Sequence, residues 1–138
     1  MVMTFKKPRI PLSLVVTGEA EVWLPALEKL IGPDYLRPHK VSSDHELLDV
    51  VGSGAADAAV LDEQAEWLLD ALQMLRMIRR MNAALPVVVV TQRNDRRWLE
   101  DALQLAAFSV VARPLALEEL LRQIQRLMVR IDRLCREE

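Results

Sequence analysis

The chain has 138 residues, 51% of them hydrophobic, which fits one domain around a single core. A net charge of −2 and a pI near 5.7 give this domain no electrostatic case for binding nucleic acid directly. The single cysteine, Cys135, excludes an internal disulfide, no run approaches the roughly 20 apolar residues of a membrane span, and Met1 to Lys7 precede no apolar signal region, so a cytoplasmic protein is expected.

Short apolar runs alternate with longer stretches of helical period. The first strand is Leu12-Ser13-Leu14-Val15-Val16, and Ala20 to Ile31 reads as a helix ended by Gly32-Pro33. Leu36 to Val41 is a second strand, placed near a sheet edge because Pro38 cannot donate to a ladder. Ser43-Asp44 can cap a helix to about Val51, stopped by Gly52-Ser53-Gly54. The strand Ala58 to Asp62 leads into the longest mid-chain helix, expected from Ala65 to Asn82. Its inward stripe is expected to be Leu68, Leu72, Leu75 and Ile78, leaving Trp67, Met74, Met77 and Met81 to the side. Pro86 to Val90 form a strand stopped by Thr91, and Asn94 or Asp95 can cap a helix to about Ala106. Phe108 to Ala112 form the last strand, after which Pro114 opens a final helix. Strict alternation of this kind implies βαβ units around a parallel sheet: five strands and five helices, doubly wound.

Three strands end on chemistry. Asp62, Thr91 and Arg113-Pro114 would gather a carboxylate, a hydroxyl and a guanidinium at the carboxyl edge, where open α/β sheets place their sites. The first strand ends in Thr17-Gly18. His39 and His45 have no cysteine or acid at metal-ligand spacing and read as surface histidines. Val16-Thr17-Gly18-Glu19 joins a strand to a helix, but one glycine does not make a phosphate-cradling loop.

The chain resembles a response-regulator receiver domain (CheY-like) over nearly its whole length. The likeness is carried by Val60-Leu61-Asp62, Leu72 to Arg79, Val88-Val89-Val90-Thr91 and Val111-Ala112-Arg113-Pro114, with separations of 29 residues from Asp62 to Thr91 and 22 from Thr91 to Arg113. The resemblance implies a flavodoxin-like receiver fold. It also implies that Asp62 is the phosphoacceptor, that Thr91 follows the phosphoryl group, and that the base before Pro114 pairs with it. The family's acid pair after strand one should fall at Thr17 and Gly18, so the chain resembles an atypical, pseudo-receiver form. Magnesium wants several hard, charged oxygens, and Asp62 alone supplies one. Glu19 and Glu21 lie close in sequence, but a ligand shifted onto a helix start is a poor replacement, and no cofactor is expected. Arg113 stands where the family carries lysine, and its fork suits a direct pair with Asp62. After Asp62 the family has a proline and an Asp-Gly turn, whereas Glu63-Gln64-Ala65-Glu66 lacks both.

The final helix carries apolar residues from Leu117 to Cys135, about 27 Å at 1.5 Å per residue, against a five-residue strand of about 17 Å. Met128, Ile131 and Leu134 are therefore expected to overhang and to form a homodimer seam, with 128–138 extending toward an output domain. The sequence as a whole reads as one domain over 1–138. We expect a regulatory, protein-interaction module of a two-component-type pathway, not an enzyme, set by a partner or output domain independently of phosphorylation. The alternatives are a conventional phosphoacceptor using Asp62 and an unrelated flavodoxin-like ligand-binding domain.

Overall fold

A computed structural model describes residues 11–17, 20–62, 70–91, 96–112 and 117–136, with the backbone alone for 20–22, 112 and 132–136. Strands and helices alternate without exception: β1 Leu12–Val16, α1 Ala20–Ile31, β2 Leu36–Lys40, α2 Asp44–Gly52, β3 Ala58–Asp62, α3 Ala71–Met81, β4 Val87–Thr91, α4 Arg96–Gln104, β5 Ser109–Ala112 and α5 Leu117–Arg136. The strands form one parallel sheet in the order β2-β1-β3-β4-β5. The doubly wound expectation holds, with the winding direction reversing between β1 and β3.

Strand parity sorts the core into two layers. Leu12, Leu14, Val16, Ala58, Val60, Val88, Val90 and Val111 pack with α1 and α5, through Trp23, Leu24, Leu27, Leu120, Ile124 and Leu127. Val15, Ala59, Leu61, Val87 and Val89 face α2, α3 and α4. Buried on both faces, β3 and β4 have no polar residue before their last position, as parallel strands require. Edge strand β2 exposes Arg37, His39 and Lys40. Its bonds at either end, from Leu12 N–H to Tyr35 O and from Val41 N–H to Val16 O, turn the odd-numbered residues toward β1. Pro38 therefore lacks its N–H on the outward side, which blunts the edge.

The structure corrects three sequence expectations. The mid-chain helix starts at Ala71: Asp70 has extended backbone and caps it, accepting from Gln73 N–H at 2.8 Å while Gln73 Oε1 accepts from Asp70 N–H at 3.0 Å. Leu68 and Trp67 lie outside the described residues. Met74 is buried beside Leu75 and Ile78, because the inward face of α3 runs through Ala71, Met74, Leu75 and Ile78 at helical spacing. Met77 and Met81 are exposed, as expected. In α5, Met128 and Ile131 do not overhang; both are half-buried against the core layer that α1 completes. The helix is covered by a neighbouring helix as well as by the strand, so strand length did not limit it. The side chain of Leu134, the third residue of the expected seam, lies outside the described residues.

At the amino edge of the sheet one side chain ties two turns together. Arg79 donates through Nε to Leu105 O at 2.8 Å, through one terminal nitrogen to Leu85 O at 2.6 Å and Asn82 O at 3.3 Å, and through the other to Ala106 O at 2.8 Å. The fork of a guanidinium can hold several carbonyls at once, which a lysine cannot. Ala106 itself has φ +59. It closes α4 in a Schellman turn, with Ala107 N–H bonded to Ala102 O and Ala106 N–H to Leu103 O.

This position normally takes glycine. Left-handed backbone costs an L-residue roughly 1–2 kcal/mol, and the greater freedom of unfolded glycine returns about 0.5–1 kcal/mol of that. Ala106→Gly should therefore stabilise the protein by about 0.5–1 kcal/mol, read as a higher urea midpoint at unchanged slope. An unchanged or lower midpoint would show that the turn carries no strain.

Candidate functional site

The reversal of strand order between β1 and β3 opens a crevice at the carboxyl ends of these two strands, the place where doubly wound sheets bind ligands. Thr17 and Asp62 stand there. Asp62 is 3% exposed, Thr17 is 2% and Thr91, at the end of β4, is 1%. In register, Asp62 lies opposite Val90, and Thr91 lies opposite Ala112 on β5. Asp62 and Thr91 thus end adjacent strands, one residue apart in level, as their sequence spacing implied. Arg113 and Pro114 lie outside the described residues, and with them the expected Asp62–Arg113 pair.

What the sequence pattern does not disclose is the bond between Thr17 and Asp62. The β1–β3 ladder has only three register pairs, Leu14 with Ala58, Val15 with Ala59 and Val16 with Val60. Thr17 N–H adds one rung to Val60 O at 3.2 Å. The next donor, Asp62 N–H, is taken by the Thr17 hydroxyl at 2.7 Å, and that hydroxyl in turn donates weakly to Val60 O at 3.4 Å. At the opposite end Asp57 does the corresponding work, its carboxylate accepting from Ser13 N–H at 2.9 Å. Side chains therefore lengthen the shortest central ladder at both ends. A β-branched hydroxyl one residue past a strand was the available sequence signal for Thr17.

Among the described residues, the carboxyl edge of the sheet offers a divalent cation one carboxylate. Asp62 is the only carboxylate at a strand's carboxyl end among the described residues, and none of them form a group of three His, Cys, Asp or Glu able to hold a metal. The Thr17 oxygen is neutral and already accepts a short hydrogen bond. Glu19, the other ligand considered, lies outside the described residues, as does the side chain of Glu21. His39 and His45 are exposed, and His45 Nε2 sits 3.5 Å from Asp49 across one helical turn. Both are surface histidines, as their spacing suggested.

Comparison with known proteins fits this geometry. Residues 16–125 match the response regulator receiver domain family. The chain belongs to that family. Receiver domains are signalling modules of two-component systems, and the sheet edge just described is where this one carries Asp62. Among curated relatives, the response regulator MprA of Mycolicibacterium vanbaalenii is 27% identical over 121 residues, covering 88% of this chain and 52% of the relative. MprA of Mycobacterium avium is 35% identical over 85 residues, 62% of this chain and 37% of the relative. The chain spans about half the length of the first of these relatives and less of the second. Two solved receivers share the fold: a CheY-like receiver from Methanospirillum hungatei (TM-score 0.74, 11% identity, 88% of this chain and 97% of that one) and a two-component response regulator from Clostridium difficile (TM-score 0.73, 16% identity, 88% and 98%). No helix among the described residues is long and apolar enough to cross a membrane.

If the Thr17 hydroxyl completes the ladder, its loss strands a buried N–H. Thr17→Val, which keeps the shape, should cost about 1–3 kcal/mol, while Thr17→Ser should stay close to the parent. Equal denaturant midpoints for the Val and Ser variants would remove the hydroxyl from the account.

Proposed function

We propose that this receiver works as a pseudo-receiver, a regulatory module whose state is set by a protein partner or an output domain and not by aspartyl phosphate. The observation that supports this most is the Thr17 hydroxyl at 2.7 Å from the Asp62 N–H. Transfer of a phosphoryl group to a carboxylate brings together two anionic groups, and a bound cation must offset that charge. In this chain the strand-one position facing Asp62 holds a neutral oxygen engaged in the backbone ladder, and the next residue, Gly18, has no side chain to supply a charge. Asp62 then serves the fold and the binding surface at the sheet edge.

The relatives bear on partners. Because this chain matches about half the length of the Mycolicibacterium response regulator, we propose that it acts on an output element, either joined to it or supplied by another protein. The conventional reading, phosphorylation at Asp62, is favoured by the positions of Asp62 and Thr91, and one experiment separates the two. Incubated with acetyl phosphate and magnesium, the protein should show no added phosphoryl mass. Thr17→Asp with Gly18→Asp, which returns two carboxylates to the end of β1, should gain an adduct that Asp62→Asn removes. An adduct on the parent chain that disappears in Asp62→Asn would establish the conventional receiver instead.

A further inference from the structure

One helix carries charge of a single sign. Between Ala71 and Met81, α3 has three arginines and no carboxylate. Arg79 is engaged by the carbonyls of the two turns it ties together. Arg76 and Arg80, one turn apart, are exposed, and among the described residues neither forms an ion pair. Two other exposed arginines find an acid on their own helix: Arg96 meets Glu100 at 3.0 Å, and Arg122 meets Glu119. Beside Arg76 and Arg80 runs an apolar seam. Met77 is 36% exposed and Met81 is 48% exposed, on the flank of α3 that meets α2. The Met81 methyl lies so close to Gly52 that a Cβ there would stand 2.7 Å from it. Gly52 is exposed and follows the half-buried Leu48 by one turn of α2. Bare backbone at Gly52 gives Met81 its seat and leaves the seam shallow, walled by Leu48 and the two methionines.

We propose that the seam between α2 and α3 is a docking site for an acidic amphipathic helix of a partner protein. Charge complementarity selects that partner. Arg76 and Arg80 stand about 6 Å apart along the axis, the spacing at which carboxylates four residues apart recur on a second helix. Each guanidinium can take a carboxylate through two bonds. Leucines on the same incoming face cover Met77 and Met81, whose unbranched thioethers adapt to the shape laid on them. Methionine and arginine are also the residues that protein interfaces enrich over ordinary surface. A helix suits the seam better than an extended segment, because the backbones of α2 and α3 are bonded within each helix and offer a strand no ladder. A second copy of the chain suits it less, since a two-fold pair meeting here would set Arg76 and Arg80 against the same arginines. The inference adds a surface to the partner-set reading without resting on it, since nothing in it involves Asp62.

The test uses the whole chain and a labelled, capped helical peptide, followed by fluorescence anisotropy. The peptide bears Glu at every fourth position and Leu on the adjoining stripe. Binding should saturate, weaken with salt and fail for a twin peptide carrying Gln in place of Glu. Arg76→Gln with Arg80→Gln should weaken it about tenfold or more, with the fold verified by circular dichroism. Met77→Gln with Met81→Gln, which keeps both arginines and the helix propensity, should weaken it to a similar extent. Removing the same two charges from α5, by Arg126→Gln with Arg130→Gln, should change nothing. Equal binding by the Gln twin would overturn the proposal, as would undiminished binding by either α3 variant. Equal weakening by the α5 variant would reduce the effect to net charge and overturn it too. An oligodeoxythymidylate of equal charge that binds as tightly would overturn the choice of partner. So would sedimentation showing self-association that Met77→Gln with Met81→Gln abolishes.

Discussion

The hydrogen bond from Asp62 N–H to the Thr17 hydroxyl is the constraint on which the candidate site depends. It closes the seam between β1 and β3, where the sheet reverses its winding and where the ladder is shortest. A buried N–H without a partner is costly, and at a strand end the carbonyl of the neighbouring strand has turned away. A side-chain acceptor one residue beyond the strand solves that problem. The same solution appears at the amino edge, where Asp57 accepts from Ser13. The central pair of strands is therefore held by backbone in the middle and by side chains at both ends.

Chemistry follows from which atom fills that role. A carboxylate in the place of Thr17 would bring charge to the crevice, and a cation could join it to Asp62. A hydroxyl brings none, and its lone pairs are directed at the ladder. Structure and reactivity are thus coupled through one residue: the oxygen that completes the sheet is the one that would otherwise help assemble a metal site. Asp62 and Thr91 remain in receiver-like positions, buried at neighbouring strand ends. The opposite edge has a different character. There Arg79 fastens the turns before β4 and β5, and two α5 arginines lie over the half-buried ring of Phe108, so positive charge concentrates away from Asp62.

Much of this fold was legible in the sequence because strand and helix periods are local. The runs ending at Val16 and Asp62 match the strands as found, and the helix from Ala20 to Ile31 does so as well. Pro38 marked the edge strand correctly. The start of α3 was misjudged because the apolar residues before Asp70 share the helical period, and only the capping box from Asp70 to Gln73 decides the boundary. Met74 was assigned to the flank because α3 carries apolar residues on more than one stripe, and only packing decides that Met74 faces inward while Leu72 is partly buried. The packing of Met128 and Ile131 against the core layer shared by the strands, α1 and α5 is a tertiary contact that no periodicity reports. Of the site, the ends of β3 and β4 were readable, while the Thr17 hydrogen bond and the Arg79 clamp were not. Both join residues far apart in sequence, and neither residue type announces its partner.

The central claim is that the crevice at Asp62 lacks the charge to hold a cation and a phosphoryl-like ligand. Amide chemical shifts measured by nuclear magnetic resonance during a titration with magnesium, first alone and then with beryllofluoride, test it most directly. The account predicts that the signals of Thr17, Asp62 and Thr91 stay where they are, apart from uniform ionic-strength drift. A saturable shift centred on Asp62 and Thr91, absent in Asp62→Asn, would contradict it.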